Sequence, residues 1–351
     1  MLNRLASSPR FQAIAERVPI LRGIARREGA ALFDLMQGFV NSQMLAALVE
    51  LRVLHLLADG GATADALAAR LNVPPDRMAV LLQAGAAMRL LRRKGARFYL
   101  ARRGAAFLGV AGLEDMVRHH AVLYGDLADP VAFIRGETTP ALAEFWPYVF
   151  GASGPMAPEI SARYSRLMAD SQTLVAQEAL RVLPLKGAAH LLDVGGGTGA
   201  FLRAVHARYP ALELSLFDLP DVVAMADLPA NVGRHGGSFR DDPLPQGADV
   251  ISLVRVLYDH RDDTVRALLH KVFATLPAGG RVLVIEPMSG GARPDPYTDV
   301  YFSVYTMAMQ TGRTRSAQEI ATLLKDAGFA KITSVRTRRS YVSAVIAAQK
   351  L

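Results

Sequence analysis

The sequence predicts an α/β protein. A doubly wound sheet domain stands behind a mostly helical N-terminal half with a winged-helix layout. Two observations predict the sheet domain. From residue 186 onward, apolar runs of strand length alternate with helical patterns, as a doubly wound sheet requires. Among them the turn Asp193-Val194-Gly195-Gly196-Gly197-Thr198-Gly199 joins the apolar run Leu191-Leu192 to a helical pattern from Phe201 to Val205. A third observation predicts the winged helix. The helical patterns Ala64 to Leu71 and Pro75 to Met88 meet at a turn, Asn72-Val73-Pro74, and lead into a basic hairpin at Gly95.

The elements follow in order. Tyr164 to Leu180 reads as a helix leading into the sheet domain. Leu212 to Phe217 is a strand closed by Asp218, nineteen residues past Gly199. Asp249 to Val254 is a fourth strand, Thr264 to Leu276 an amphipathic helix stopped by Pro277-Ala278-Gly279-Gly280, and Arg281 to Glu286 a fifth strand. Tyr297 to Gln310 reads as a helix rich in aromatics and methionine, with Asp299 its single charge. Ser316 to Ala327 is a helix capped by Gly328, followed by strands near Lys331 to Val335 and Tyr341 to Ala347. The stretch Pro140 to Pro158 holds Phe145, Trp146, Pro147, Tyr148 and Phe150 and is a poor helix. It serves either as the wall or lid of an apolar pocket or as local core. The expected divisions are residues 1–100, 101–185 (helical linker and pocket region) and 186–351.

Composition narrows the function classes. The 351 residues suffice for two domains, and 51% of them are hydrophobic. No uncharged apolar run reaches the ~18 residues of a membrane span. There is no cysteine, which excludes disulfides and thiolate chemistry. The eight histidines show no metal-ligand spacing, and the adjacent His119 and His120 diverge on a helix. No metal is expected.

The net charge of +8 is concentrated in two segments. Residues 1–28 carry six arginines, with Phe11, Ile14, Val18 and Leu21 at helical spacing. Two readings stand for this arm: contact with anionic lipid, or a solvated helix that packs in a dimer. The expected location is the cytoplasm, with peripheral contact to the inner membrane under the first reading. The second segment, Arg89 to Arg103, has seven cations and no acid. DNA binding through phosphates is one reading. Against it, the second helix is filled by Met78, Val80, Leu81 and Leu82, and donors able to read bases are sparse. No nucleic-acid partner is expected.

The glycine turn and the acid at the end of the next strand read as a nucleoside crevice. Glycines let a ligand touch backbone where a Cβ would clash, and a carboxylate accepts from ribose hydroxyls. Gly195, Gly197 and Ala200 fit a dinucleotide fingerprint. Gly195, Gly197 and Gly199, with Asp193 before them, fit the loop that holds S-adenosylmethionine (SAM). Asp193 decides between them, because a carboxylate repels a pyrophosphate and suits an ammonium.

Leu192 to Gly199, Phe217-Asp218-Leu219-Pro220, Val256-Leu257-Tyr258-Asp259 and Leu276 to Arg281 together resemble the SAM-dependent O-methyltransferases of the caffeic acid and acetylserotonin type. The resemblance covers about the whole chain. Tyr258-Asp259-His260 and Gly236 to Pro243 look most like the bacterial branch that methylates hydroxylated acyclic carotenoids, of the hydroxyneurosporene or demethylspheroidene type. The resemblance implies a Rossmann-like class I methyltransferase domain, a winged-helix-like dimerisation domain, a homodimer, SAM as cofactor and an apolar small-molecule acceptor.

It also implies roles. In the family a histidine deprotonates the acceptor. Its position here is Tyr258, and His260 takes the place of the family's tryptophan. Three readings follow: Tyr258 only orients the hydroxyl, His260 acts as base, or the proton leaves late, to water or Asp259. A phenol with a pKa near 10 is a poor base at neutral pH. Glu286 and Glu319 match the acids that flank the family's histidine. For SAM, the resemblance assigns Gly195 and Gly197 to the methionine part, Asp218 to the ribose, Leu219 to the adenine and Asp193 to the ammonium. Ser238 and Phe239 stand where the family binds adenine, Met168 and Ser171 near the sulfonium, and Arg255 joins the cofactor set. Tyr301, Phe302, Tyr305, Met307 and Met309 lie on the helix that lines the family's acceptor pocket.

Overall fold

The computed structural model describes residues 17–145, 172–183, 185–340 and 342–351, together with 8, 11 and 14. The chain parts into two compact units, Met1–Gly109 and Val110–Leu351. Residues 113–145, expected with the linker, pack within the second unit. There Leu123, Phe133 and Leu142 form a buried cluster with Tyr305, Ala308 and Met309. Of the expected helix from Tyr164, the described part is helical over 172–179. Trp146, Pro147, Tyr148 and Phe150 lie outside the described residues.

The first unit opens with a long helix, α1 (Pro19–Glu50). The pair α2 (Ala64–Leu71) and α3 (Pro75–Ala87) is joined through Asn72, whose φ of 52° ends α2 in the left-handed region. The strands β1 (Ala62–Thr63), β2 (Leu91–Lys94) and β3 (Arg97–Leu100) form an antiparallel sheet in the order β1-β3-β2. Its hairpin turns at Gly95, where φ is +60°. Leu48, Leu54, Met78, Leu82, Leu91 and Phe98 fill the core beneath. This is the winged-helix layout read from the sequence.

The second unit is built on seven strands in the order β6-β5-β4-β7-β8-β10-β9. They are β4 (His190–Val194), β5 (Glu213–Asp218), β6 (Gly233–Gly236), β7 (Val250–Val254), β8 (Arg281–Glu286), β9 (Ala330–Arg336) and β10 (Ala344–Gln349). The first five in that spatial order run parallel, and β10 is antiparallel to both its neighbours. Side chains alternate along each strand, and both faces are covered, as parallel sheets require. On β8, Val282 and Val284 join one core cluster while Leu283 and Ile285 join the other. Helix α5 (Ala200–Arg208) buries Phe201, Leu202 and Val205, and α6 (Asp262–Thr275) buries Val265, Leu268, Leu269 and Val272.

Strand order reverses between β4 and β7. Their carboxyl ends therefore open on the crevice where ligands bind in such sheets. The glycine turn follows β4 and the segment 255–260 follows β7, so both lie at that crevice.

One expected helix differs. Residues 298–302 form a wide π turn before the α-helix α7 (Ser303–Ala308). The Asp299 carboxylate accepts from the backbone N–H groups of Gly290 and Asp295, at 2.9 and 2.6 Å, which ties this start to the preceding loop.

Candidate functional site

The glycine turn is shaped by its missing side chains. Gly195, Gly197 and Gly199 all have positive φ, at 69, 59 and 80°. A Cβ on Gly195 would stand 2.8 Å from Val256 Cγ2, and one on Gly196 would collide with Asp193. A Cβ on Gly197 would meet nothing within 4 Å, so there the backbone faces open space. The Gly197 N–H donates to Asp218 Oδ2 at 2.7 Å and the Leu219 N–H to Oδ1 at 2.7 Å. The carboxylate thus braces the turn and keeps acceptor capacity for further donors. Burial raises its pKa, and the two N–H groups oppose that. A cradle of bare backbone beside a half-exposed acid fits a nucleoside with two ribose hydroxyls.

Asp193 lies beneath this turn, fully buried. Oδ1 accepts from the Ser252 hydroxyl at 2.6 Å, and Oδ2 has no hydrogen-bond partner among the described residues. Burial pushes its pKa up to about 7. Expected to meet an ammonium directly or through water, the side chain has no exposed surface of its own.

Across the crevice, the turn after β7 begins at Arg255, a non-glycine residue at φ 56°. Its guanidinium donates to the Tyr258 hydroxyl, from Nε at 3.2 Å and from Nη2 at 2.9 Å. Arg255, expected in the cofactor set, is thus hydrogen-bonded to Tyr258, expected on the acceptor side. Tyr258 is 2% exposed. Burial raises its pKa, against the pull of Arg255. Asp259 is pushed up to about 8 by burial, opposed by Arg255 and reinforced by Glu286. Glu286, fully buried at the end of β8, accepts from the Tyr258 N–H at 3.1 Å. Burial lifts it to about 7 against the nearby charge of Arg315. The structure therefore brings Tyr258, Asp259 and Glu286 together.

His260 is buried and faces the loop after β6. Its ring meets Phe239 edge-on at 5.2 Å, and Arg240 Nη2 lies 3.2 Å from Nδ1. Burial and the charges of Arg240 and Arg315 push its pKa down to about 4. A base this weak, with one nitrogen facing a guanidinium, is poorly suited to take a proton at neutral pH. In the same loop the Ser238 hydroxyl donates to Asp241 at 2.9 Å and its N–H to Asp242 at 2.8 Å.

Glu319 stands in a helix cap. Its carboxylate accepts from the Ser316 N–H and hydroxyl, both at 2.8 Å, and forms a capping box for α8 (Ala317–Asp326). It also pairs with Arg313 at 2.7 Å. These bonds, rather than any to Tyr258, occupy it. Met168 and Ser171 lie outside the described residues.

Two residues central to this geometry are not among those the sequence singles out. Arg315 has no exposed side-chain surface and binds the turn from behind: Nη1 to Leu257 O at 2.7 Å, Nη2 to His260 O at 2.8 Å, and Nε to Asp262 at 2.9 Å. Gly312 packs on the Tyr258 carbonyl, where a Cβ would collide. The one available hint for Arg315 is an arginine in the otherwise small polar run Thr314 to Ser316, opposite the acid Asp262.

The chain is similar to known proteins in sequence and in fold. A family model of the O-methyltransferase domain matches residues 124–330, and one of the O-methyltransferase dimerisation domain matches residues 33–109. A demethylspheroidene O-methyltransferase of Cereibacter sphaeroides is 61% identical over 353 residues, covering 98% of this chain and 93% of the relative. One of Rhodobacter capsulatus is 55% identical over 351 residues, covering 99% and 88%. The crystal structure of human N-acetylserotonin methyltransferase in complex with SAM matches at a TM-score of 0.76 and 26% identity, over 92% of this chain and 97% of that one.

Proposed function

Because the chain belongs to the O-methyltransferase family, we propose that it transfers a methyl group from SAM to a hydroxyl of an acyclic carotenoid. That it is a SAM-dependent O-methyltransferase acting on a small molecule is the coarser statement, and family membership carries it. Its dimerisation domain supports a homodimer. The observation that carries the finer reading is the 61% identity across 98% of the chain to a demethylspheroidene O-methyltransferase.

The glycine turn supports a seat for SAM. Gly195 and Gly197 run along the methionine part, Asp218 accepts from the ribose hydroxyls, and Leu219, Ser238 and Phe239 flank the adenine. Asp193 acts from beneath the turn. When bound, SAM supplies a methyl group on a positively charged sulfur. The chain's own part is to hold the acceptor oxygen in line and keep water away. Tyr258 does the first, with its hydroxyl fixed by Arg255 and its backbone by Glu286. Phe302, Tyr301, Tyr305 and Met309 supply an aromatic and thioether wall suited to a polyene.

Two surfaces of the first unit support the remaining partners. Leu32, Phe33, Leu35, Met36 and Phe39 on α1 are exposed apolar side chains, a face for a second copy. Arg17, Arg22, Arg26 and Arg27 are exposed at the start of the chain and suit an anionic membrane surface. Among the described residues no helix is long and apolar enough to cross a membrane.

The test is to incubate purified protein with SAM and a detergent-dispersed hydroxylated acyclic carotenoid and to read the product by mass. Gain of one methyl group at the hydroxyl is expected. Unchanged carotenoid, with S-adenosylhomocysteine binding intact, overturns the acceptor assignment.

A further inference from the structure

Position 258 lacks the family's histidine, yet the second unit holds two histidines that the turn after β7 does not use. His119 and His120 are neighbours on α4 (Leu113–Asp126) and leave it about 100° apart. Each meets a tyrosine of the 298–308 segment. Nε2 of His119 lies 2.8 Å from the Tyr305 hydroxyl, and Nε2 of His120 lies 2.7 Å from the Tyr301 hydroxyl. The tyrosines are one helical turn apart, and their rings stack at 5.9 Å. His119 and Tyr305 are both 7% exposed, whereas His120 and Tyr301 are half-buried.

The segment that carries Tyr305 runs on to Gly312, which packs on the Tyr258 carbonyl. The Tyr305 hydroxyl feels the charges of Tyr301, Tyr258, Arg255 and Asp259. The alternatives in the turn are already committed. Two N–H groups of Arg255 point at the Tyr258 oxygen. His260 faces Arg240 and Phe239.

We propose that Tyr305 receives the proton of the acceptor hydroxyl and hands its own to Nε2 of His119, so that the base absent from position 258 stands on α4. The proposal rests on methyl transfer to an alcohol, as argued above. The acceptor oxygen bonds to the methyl carbon, and the electron pair of the broken carbon–sulfur bond stays on sulfur. The acceptor's proton passes to Tyr305 Oη as the proton of Tyr305 passes to His119. One positive charge leaves sulfur and one appears on His119, so charge balances. A tertiary alcohol needs no strong base in advance, because its proton becomes acidic only as the new bond forms. A neutral imidazole behind a tyrosine is then sufficient. The titratable and charged groups acting on Tyr305 are Tyr301 on the same segment and Arg255, Tyr258 and Asp259 in the turn, and His120 is the titratable neighbour of His119 on its own helix.

The test compares H119Q and Y305F with H120Q. Labelled methyl transfer to the dispersed carotenoid is followed from roughly pH 5 to 9, with S-adenosylhomocysteine binding by calorimetry and thermal melting alongside. Wild type is expected to lose rate in acid as His119 takes a proton. H119Q and Y305F are expected to fall about 100-fold and to lose that acid limb, with binding and melting unchanged. H120Q is expected to keep most of the rate. H119Q with a normal rate and a normal acid limb overturns the proposal. If H119Q fails to fold, Y305F decides alone, since it removes one oxygen, and a normal rate and acid limb in Y305F overturns the proposal. Wild type that transfers nothing to the carotenoid overturns the acceptor assignment itself and this proposal with it, and the two failures are told apart by which protein fails.

Discussion

Arg255 donates two hydrogen bonds to the hydroxyl of Tyr258, at 3.2 and 2.9 Å. The guanidinium belongs to a residue held in the left-handed region, at φ 56°. A strained backbone thus delivers a charge to the one hydroxyl at the family's base position. The arrangement fixes the oxygen of Tyr258 and makes it an acceptor, which supports the positioning role proposed for it over that of a base.

Tyr258→Phe removes that acceptor and leaves Arg255 without it. Hydrogen bonds to charged groups are worth about 1.5–3 kcal/mol, so kcat is expected to fall about tenfold or more. KM for SAM is expected to stay close to wild type. A steady-state comparison checks this, and equal kcat values count against the positioning role.

Gly195→Ala places a Cβ 2.8 Å from Val256 Cγ2 at a φ of +69°. The left-handed conformation alone costs roughly 1–2 kcal/mol for an L-residue. Affinity for S-adenosylhomocysteine is expected to drop about tenfold or more, since about 1.4 kcal/mol is a factor of ten. Calorimetry that finds wild-type affinity would separate this turn from cofactor binding.

Arg315→Met strips the Leu257 and His260 carbonyls of their buried donor and Asp262 of one of its two arginine partners. Leaving a buried acceptor unpaired costs about 1–3 kcal/mol. A clear fall in melting temperature is expected, with loss of transfer that Arg315→Lys restores in part. A melting curve that coincides with wild type contradicts the bracing role.

His260 gives stability a pH dependence of known sign. Its pKa is about 4 in the folded chain against an ordinary imidazole value of 6.5, with burial the main cause. Between those values the unfolded chain binds a proton that the folded chain refuses. The contribution is intact above about pH 6.5 and is lost as pH falls toward about 4. Asp262, held down to about 2 by Arg313 and Arg315, keeps its charge through that window. His260→Gln is therefore expected to flatten the fall of melting temperature between about pH 6.5 and 4. An unchanged slope refutes it.

The sheet is legible in the sequence because its signals are local. Arg281 to Glu286 reads as a strand with the bounds the structure has, between a Pro-Gly break and the next loop. Gly195, Gly197 and Asp218 lie on two consecutive strand ends, so one βαβ pattern locates them. What stays hidden depends on contacts distant in sequence. Arg315 reaches Leu257 across 58 residues, and His119 reaches Tyr305 across 186. His119 and His120 look unrelated in the sequence because a helix sends neighbours apart. The structure reconciles them by placing Tyr301 and Tyr305 one turn apart to meet each. The start of the 298–308 segment departs from a regular helix because a side chain, Asp299, captures the N–H groups of Gly290 and Asp295, and periodicity does not register such a contact.

The central claim is an alcohol-methylating site organised around Tyr258 without a histidine at that position. It is tested most directly by partition of label in one vessel. Wild-type protein receives methyl-labelled SAM with equal concentrations of a hydroxylated acyclic carotenoid and a simple phenol such as caffeate. The account predicts that the label enters the carotenoid and leaves the phenol unmarked. Label chiefly in the phenol would contradict it, since the site would then select a phenol over the carotenoid alcohol.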